Sequence, residues 1–241
     1  MWNLFISFDD CCQTVRELLE LEYRYACRMA VLEKRSLHET IVYTEYPLYC
    51  EDVPQHIWEK RLGTAAEREA LWHDTITPWL RIHYEKAREE IANNNSCFLS
   101  ELHTEYYCDS PELLLTLHFR NLFAPDSPFN HLDALCGSLL DIVERHMAVH
   151  PEITRVQCAS WLNNRPEFLA LFPAEWQKQR SLCLPMEGST GWWGSFIDRR
   201  GLFNAERAAD FERLGGFAMP NTNCRCSTAA LLQHLQKMKR A

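Results

Sequence analysis

Between Leu113 and Trp161 the hydrophobic period changes twice, and this restricts the architecture more than any other feature of the 241 residues. Leu113 to Phe119 is a short apolar run suited to an extended strand. Leu132, Leu135, Leu139, Ile142 and His146 then recur at steps of three or four, the spacing of one helix face, and Pro151 closes the pattern. Ile153 to Trp161 returns to strand composition. Strand, helix and strand in that order build a small sheet backed by the helix, with a right-handed crossover if the strands are parallel.

Helical patterning dominates the first half. Residues 11 to 35 carry Val15, Leu18, Glu22, Tyr25 and Met29 along one stripe. Tyr43 to Val53 reads as an irregular connection, and helical periodicity returns at Pro54 to Arg61. Thr64 with Glu67 three residues on forms a capping-box signature. Thr77-Pro78 predicts a helix restart, since proline suits the first helical position, with Ile76, Leu80, Tyr84, Ala87 and Ile91 as its buried face. Further helices are expected from Asn204 or Ala205 to Leu214 and from Thr228 to Met238. The expected fold is α+β: a mainly helical subdomain, residues 1–110, packed with an α/β subdomain, residues 111–241, containing a small mixed sheet.

Composition narrows the partners. Hydrophobic residues make up 46% and charged residues 24% of the chain, a globular balance. The formal charge of −8 repels a phosphate backbone, which argues against nucleic acid as a principal partner. No uninterrupted apolar stretch approaches a membrane span. Eleven cysteines, an odd number, together with the absence of a basic start before the first apolar residues, predict reduced thiols in a cytoplasmic protein. A small-molecule substrate is expected, and composition leaves the oligomeric state open.

The strip from Cys158 to Cys226 is the densest in unusual motifs. It contains Ser160-Trp161-Leu162-Asn163, Trp192-Trp193-Gly194, Asp198-Arg199-Arg200-Gly201 and Cys224-Arg225-Cys226, but no nucleotide loop, metalloprotease helix, zinc clamp or nucleophile elbow. Trp161, Trp192 and Trp193 are candidates for stacking a substrate or for anchoring irregular backbone. Arg199 and Arg200 are candidates to clamp a carboxylate or phosphate. Cys224 and Cys226 are closer in sequence than the familiar zinc pair and read as structural thiols. Glu101, His103 and Glu105 alternate, so a strand would place them on one face and permit metal binding, with a polar surface as the plainer reading.

Leu117-His118-Phe119, the helical segment 131–149 and Val156-Gln157-Cys158-Ala159-Ser160-Trp161-Leu162 together resemble the C-terminal lobe of a GNAT-like acyltransferase family, over about residues 113 to 200. The resemblance implies a GNAT-related fold and transfer of an acyl group, with acyl-coenzyme A as donor, to a small amine or amino-acid-like acceptor. It places His118 and Ser160 on strands near a cleft and Trp161 in its wall. The Arg/Gln-x-x-Gly-x-Gly/Ala loop by which that superfamily holds the coenzyme A pyrophosphate does not occur in this chain. For acyl transfer, His118 is the candidate base and Ser160 the candidate donor or relay. Cys158, two positions away from Ser160, is the covalent alternative.

Two other readings stand beside it. His146 and His150 are four apart on a helix, and with Glu22 they are candidate ligands of an iron or manganese oxidoreductase. Alternatively, the acidic helical half recruits a basic protein and the chain acts as a non-enzymatic scaffold.

Overall fold

The computed structural model describes residues 6–43, 62–93, 96–107, 110–183, 190–216 and 219–240. The fold is α+β, and the chain divides into two compact units, each built from two separate stretches. Asn95–Cys183 and Met219–Ala241 form a sheet unit. Trp2–Asn94 and Leu184–Ala218 form a helical unit. The division thus falls before the first strand rather than between residues 110 and 111, because both strands of the first hairpin belong to one sheet. Residues 184–218, expected in the α/β subdomain, return to the helical unit.

In the helical unit, α1 (Phe8–Glu33) starts at Ser7, whose hydroxyl accepts from the Asp10 N–H, and ends at Lys34 in the left-handed region. Its stripe of Val15, Leu18, Leu19, Leu21 and Tyr25 is buried. After α2 (Leu37–Tyr43), α3 (Ala65–Leu71) begins at the expected capping box, with Thr64 and Glu67 satisfying each other's backbone N–H groups. The expected restart at Thr77-Pro78 takes another form. A π-turn over Trp72–Ile76 joins α3 to α4 (Thr77–Asn93), and the Thr77 N–H reaches back five residues to the Trp72 carbonyl. A proline lacks an N–H and crowds the carbonyl four residues before it, and the wider turn relieves that conflict without breaking the helix.

Trp192 and Trp193 lie on a short helical turn, Thr190–Trp193. With Phe196 and Phe211 they join Leu18, Leu21, Tyr25, Leu71 and Ile76 in the unit's core. Phe211 sits on α5 (Ala205–Leu214), which starts at Asn204 and ends at Gly215, φ 75°. Asp198-Arg199-Arg200-Gly201 is a tight turn. The Asp198 carboxylate accepts from the N–H groups of Arg200 and Leu202, and Gly201 supplies the positive φ of 91°.

The sheet unit contains β1 (Phe98–Tyr107), β2 (Ser110–Phe119), β3 (Arg155–Ser160), β4 (Ser181–Leu182) and β5 (Thr222–Ser227), in the order β1-β2-β3-β5-β4. β1 and β2 form an antiparallel hairpin. β2 and β3 are parallel, and the remaining pairs are antiparallel. The parallel pair is joined by α6 (Leu132–Val149), the strand, helix and strand that the period change predicts. The last strand, β5, enters between β3 and β4.

The pleat sorts the side chains into two faces. Phe98, Leu115, Leu117, Val156, Cys158, Cys224 and Cys226 point into a core closed by Leu135, Leu139 and Val143 of α6 and by Leu231 and Leu235 of α7 (Thr228–Met238). Cross-strand partners on the other face include Glu101↔Thr116, Thr116↔Gln157 and Gln157↔Arg225. The sheet is therefore apolar on the helix-backed side and mainly polar on the other, where Leu114 is buried beside its register partners His103 and Arg155.

Candidate functional site

The parallel pair defines the most site-like feature of the sheet. β2 and β3 pair only through Leu114↔Arg155, Leu115↔Val156 and Thr116↔Gln157, although β2 runs on to Phe119 and β3 to Ser160. Beyond these pairs the carboxyl-terminal ends of the two strands are not paired with each other, a wedge in the ladder. His118 borders it on β2, and Ala159 and Ser160 border it on β3.

The expected catalytic trio does not assemble around this wedge, because alternation along the strands separates its members. His118 lies opposite Leu99 on the polar face, whereas Cys158 and Ser160 pair with Cys224 and Thr222 on the core face. Cys158 is buried, and burial, with Cys224 and Cys183 nearby, pushes its thiol up to about 12, so it is held protonated. That environment corrects its reading as a covalent nucleophile. The Ser160 hydroxyl accepts from the Leu162 N–H at 3.1 Å and caps the 3-10 turn Trp161–Asn164, so it serves the chain reversal rather than a relay to His118.

The rest of the Ser-Trp-Leu-Asn motif is structural in the same sense. Leu162 enters the core, and Trp161 packs half-buried against it. Asn163, fully buried, donates to the carbonyls of Cys158 (2.9 Å) and Thr222 (2.8 Å) and accepts from the Trp176 indole N–H at 2.9 Å. One amide thus ties β3, β5 and the following turn.

Trp192 and Trp193 stand in the helical unit's core at 1% and 0% exposure, packed edge-on against Tyr25, which corrects their reading as substrate-stacking walls. Arg200 pairs with Asp198 of its own turn at 2.7 Å. Arg199 is exposed at that turn, so the two arginines do not form a joint clamp.

The polar face of the sheet holds a continuous network. Gln157 Nε2 donates to His103 Nε2 (3.1 Å) and to Thr116 Oγ1 (3.1 Å), while His103 Nδ1 lies 3.0 Å from the same hydroxyl. With Nε2 accepting, neutral His103 carries its proton on Nδ1 and donates it to Thr116. Asn223 Nδ2 donates to Gln157 Oε1 at 3.0 Å. Arg225 meets Glu105 at 3.3 Å although two strands separate β5 from β1, so the pair reaches across roughly 14 Å of sheet at ~4.8 Å per strand. Arg155 pairs with Glu112 at 3.2 Å. The alternation of Glu101, His103 and Glu105 signalled this face. Its partners on β2, β3 and β5 carried no local signal. His118 sits at the edge of the network, half-exposed, with Nε2 3.4 Å from Glu101 Oε1.

The metal constellation is also corrected: among the described residues no three His, Cys, Asp or Glu side chains converge on geometry that holds an ion. Glu22 is buried in the helical unit. In the sheet unit, His150 Nδ1 faces Glu152 at 3.3 Å and His146 Nε2 faces Ser100 Oγ at 2.7 Å. Burial, with Arg145 and His150 nearby, lowers the His146 pKa below its ordinary 6.5. The folded state then binds fewer protons than the unfolded chain, so this contribution to stability is complete above 6.5 and declines as pH falls from there to the depressed folded value. His146→Gln is expected to shrink the loss of urea midpoint between about pH 7.5 and 5, and an unchanged loss would contradict the assignment.

The nine cysteines among the described residues are all free thiols, and no described helix is long and apolar enough to cross a membrane. No protein-family model, no curated protein and no solved structure matches the chain.

Proposed function

We propose that the protein is an N-acyltransferase that moves an acyl group from acyl-coenzyme A to a small amine or amino-acid-like acceptor. The observation that carries this reading is the wedge at the carboxyl ends of β2 and β3, the two strands on which the resemblance to GNAT-like acyltransferases rests. Ligands of sheets with parallel strands favour such carboxyl ends. Strand segments that leave a ladder can offer backbone N–H and C=O groups, the partners that an extended, amide-bearing arm such as that of coenzyme A requires.

The chemistry needs a base for the amine, and the two histidines of the polar face differ in availability. His103 has its Nε2 lone pair committed to Gln157. His118 Nε2 lies 3.4 Å from Glu101 Oε1, and the tautomer with its proton on Nε2 leaves the Nδ1 lone pair to take the amine proton while the carboxylate balances the imidazolium that forms. The nitrogen attacks the thioester carbonyl, the C–S bond breaks, and coenzyme A departs as the thiol.

Acyl-coenzyme A binding and turnover by the full chain over an amine panel test the reading. His118→Ala is expected to lower kcat/KM by about 10²-fold or more with acyl-coenzyme A affinity unchanged. Failure of the folded protein to bind acyl-coenzyme A, or full turnover by the alanine variant, would overturn it.

A further inference from the structure

The helical unit contains a cleft of about 160 Å³ between α1 and the α3–π-turn segment. Its floor is apolar: Leu19, Leu71, Trp72 and Ile76 are each at most 8% exposed. Packed helices leave few voids larger than a water molecule, and an apolar cavity of about 150 Å³ is large enough to take a six-carbon ring. The π-turn contributes both Trp72 and Ile76 to this floor. Such turns are rare and concentrate at functional sites.

The charges on the rim are not equivalent. Arg16 bonds Glu69 and lies over the Trp72 ring, and Glu69 also holds His73 at 3.0 Å. Arg16 and Glu69 neutralise each other, and His73 occupies the second oxygen of the same carboxylate. Arg68 lies over the Tyr23 ring at 4.8 Å and spends one N–H on the Gly63 carbonyl at 2.8 Å, and among the described residues its remaining donors have no acceptor. The stack holds the guanidinium in place without using those donors. Glu20, one turn before Tyr23 on α1, lines the same cleft and has no ion-pair partner among the described residues. Tyr23, Arg68 and Glu20 all line this one cleft. Among the described residues the cleft therefore offers an apolar floor, one available cation and one available anion.

We propose that this cleft is a binding site for a free α-amino acid with a branched apolar side chain. Arg68 takes the carboxylate, Glu20 the ammonium, and the side chain fills the floor between Leu19, Leu71 and Trp72. A neutral apolar molecule would leave both charges unanswered. A ligand with a single charge would answer only one. The inference does not rest on the acyl-transfer reading, since neither His118 nor the sheet takes part.

Calorimetric titration of the full chain with L-leucine, 4-methylpentanoate and 3-methylbutylamine tests it, the last two each lacking one of the charges. L-leucine is expected to bind at least tenfold more tightly than either probe. Arg68→Gln is expected to weaken L-leucine at least tenfold and leave 3-methylbutylamine unchanged, and Glu20→Gln to weaken L-leucine equally and leave 4-methylpentanoate unchanged. Both side chains sit on the rim, and an unaltered Tm and far-UV spectrum certify that the variants are folded. No heat with L-leucine, equal binding of all three probes, or variants that bind L-leucine as the parent does would each overturn the proposal.

Discussion

Replacement of Asn163 by alanine should lower the free energy of unfolding by about 3–5 kcal/mol, since it strips partners from three buried groups at about 1–3 kcal/mol each. The Cys158 and Thr222 carbonyls lose their donor and the Trp176 indole N–H loses its acceptor. Urea denaturation should show a lower midpoint with an unchanged slope. Asn163→Asp preserves the shape but turns an oxygen toward two carbonyl oxygens, and should be at least as harmful. A loss below about 1 kcal/mol in the alanine variant would mean that water replaces the amide and that Asn163 is not the tie between β3 and β5.

Trp193→Ala should cost a similar amount, about 3–5 kcal/mol, through the cavity it leaves. Trp193 is fully buried, with ring contacts to Tyr25, Trp192, Phe196 and Phe211. Trp193→Phe retains part of that packing and should lose correspondingly less. The alanine variant also separates the two roles open to this residue at the level of sequence. A substrate-stacking wall would give reduced ligand affinity at nearly unchanged stability. A core residue gives a large fall in the denaturation midpoint, which is the expected result.

The elements that could be read from sequence are those whose signal is local. The capping box at Thr64 and Glu67 and the helices Ala205–Leu214 and Thr228–Met238 fall where their caps and periodicity place them. The period changes from Leu113 to Trp161 mark β2, α6 and β3. β5 was hidden by its chemistry. Its inward positions are Thr222, Cys224 and Cys226, so a period-two strand pattern presents itself as a closely spaced thiol pair. The π-turn was hidden because its residues keep ordinary helical composition, and Pro78 read alone signals a start rather than a widened turn.

The candidate site was less legible still. His118, Cys158 and Ser160 are suitable groups on suitable strands, but the register decides which side of the sheet each faces, and register is a tertiary property. The same applies to His103, whose partner Gln157 follows it by 54 residues in sequence, and to Gln157, whose further partner Asn223 lies another 66 residues on.

The helical unit draws Trp192, Trp193, Phe196 and Phe211 from a stretch that the ribosome makes only after the first four strands. While those four strands are being translated, the inner surface of α1 lacks the cover of these four rings, and a chain released before Phe211 would expose Leu18, Leu21 and Tyr25 to aggregation or to chaperones. A biosynthetic arrest series should therefore show protease resistance arising late for residues 8–93, after the rings near the end of the message have emerged.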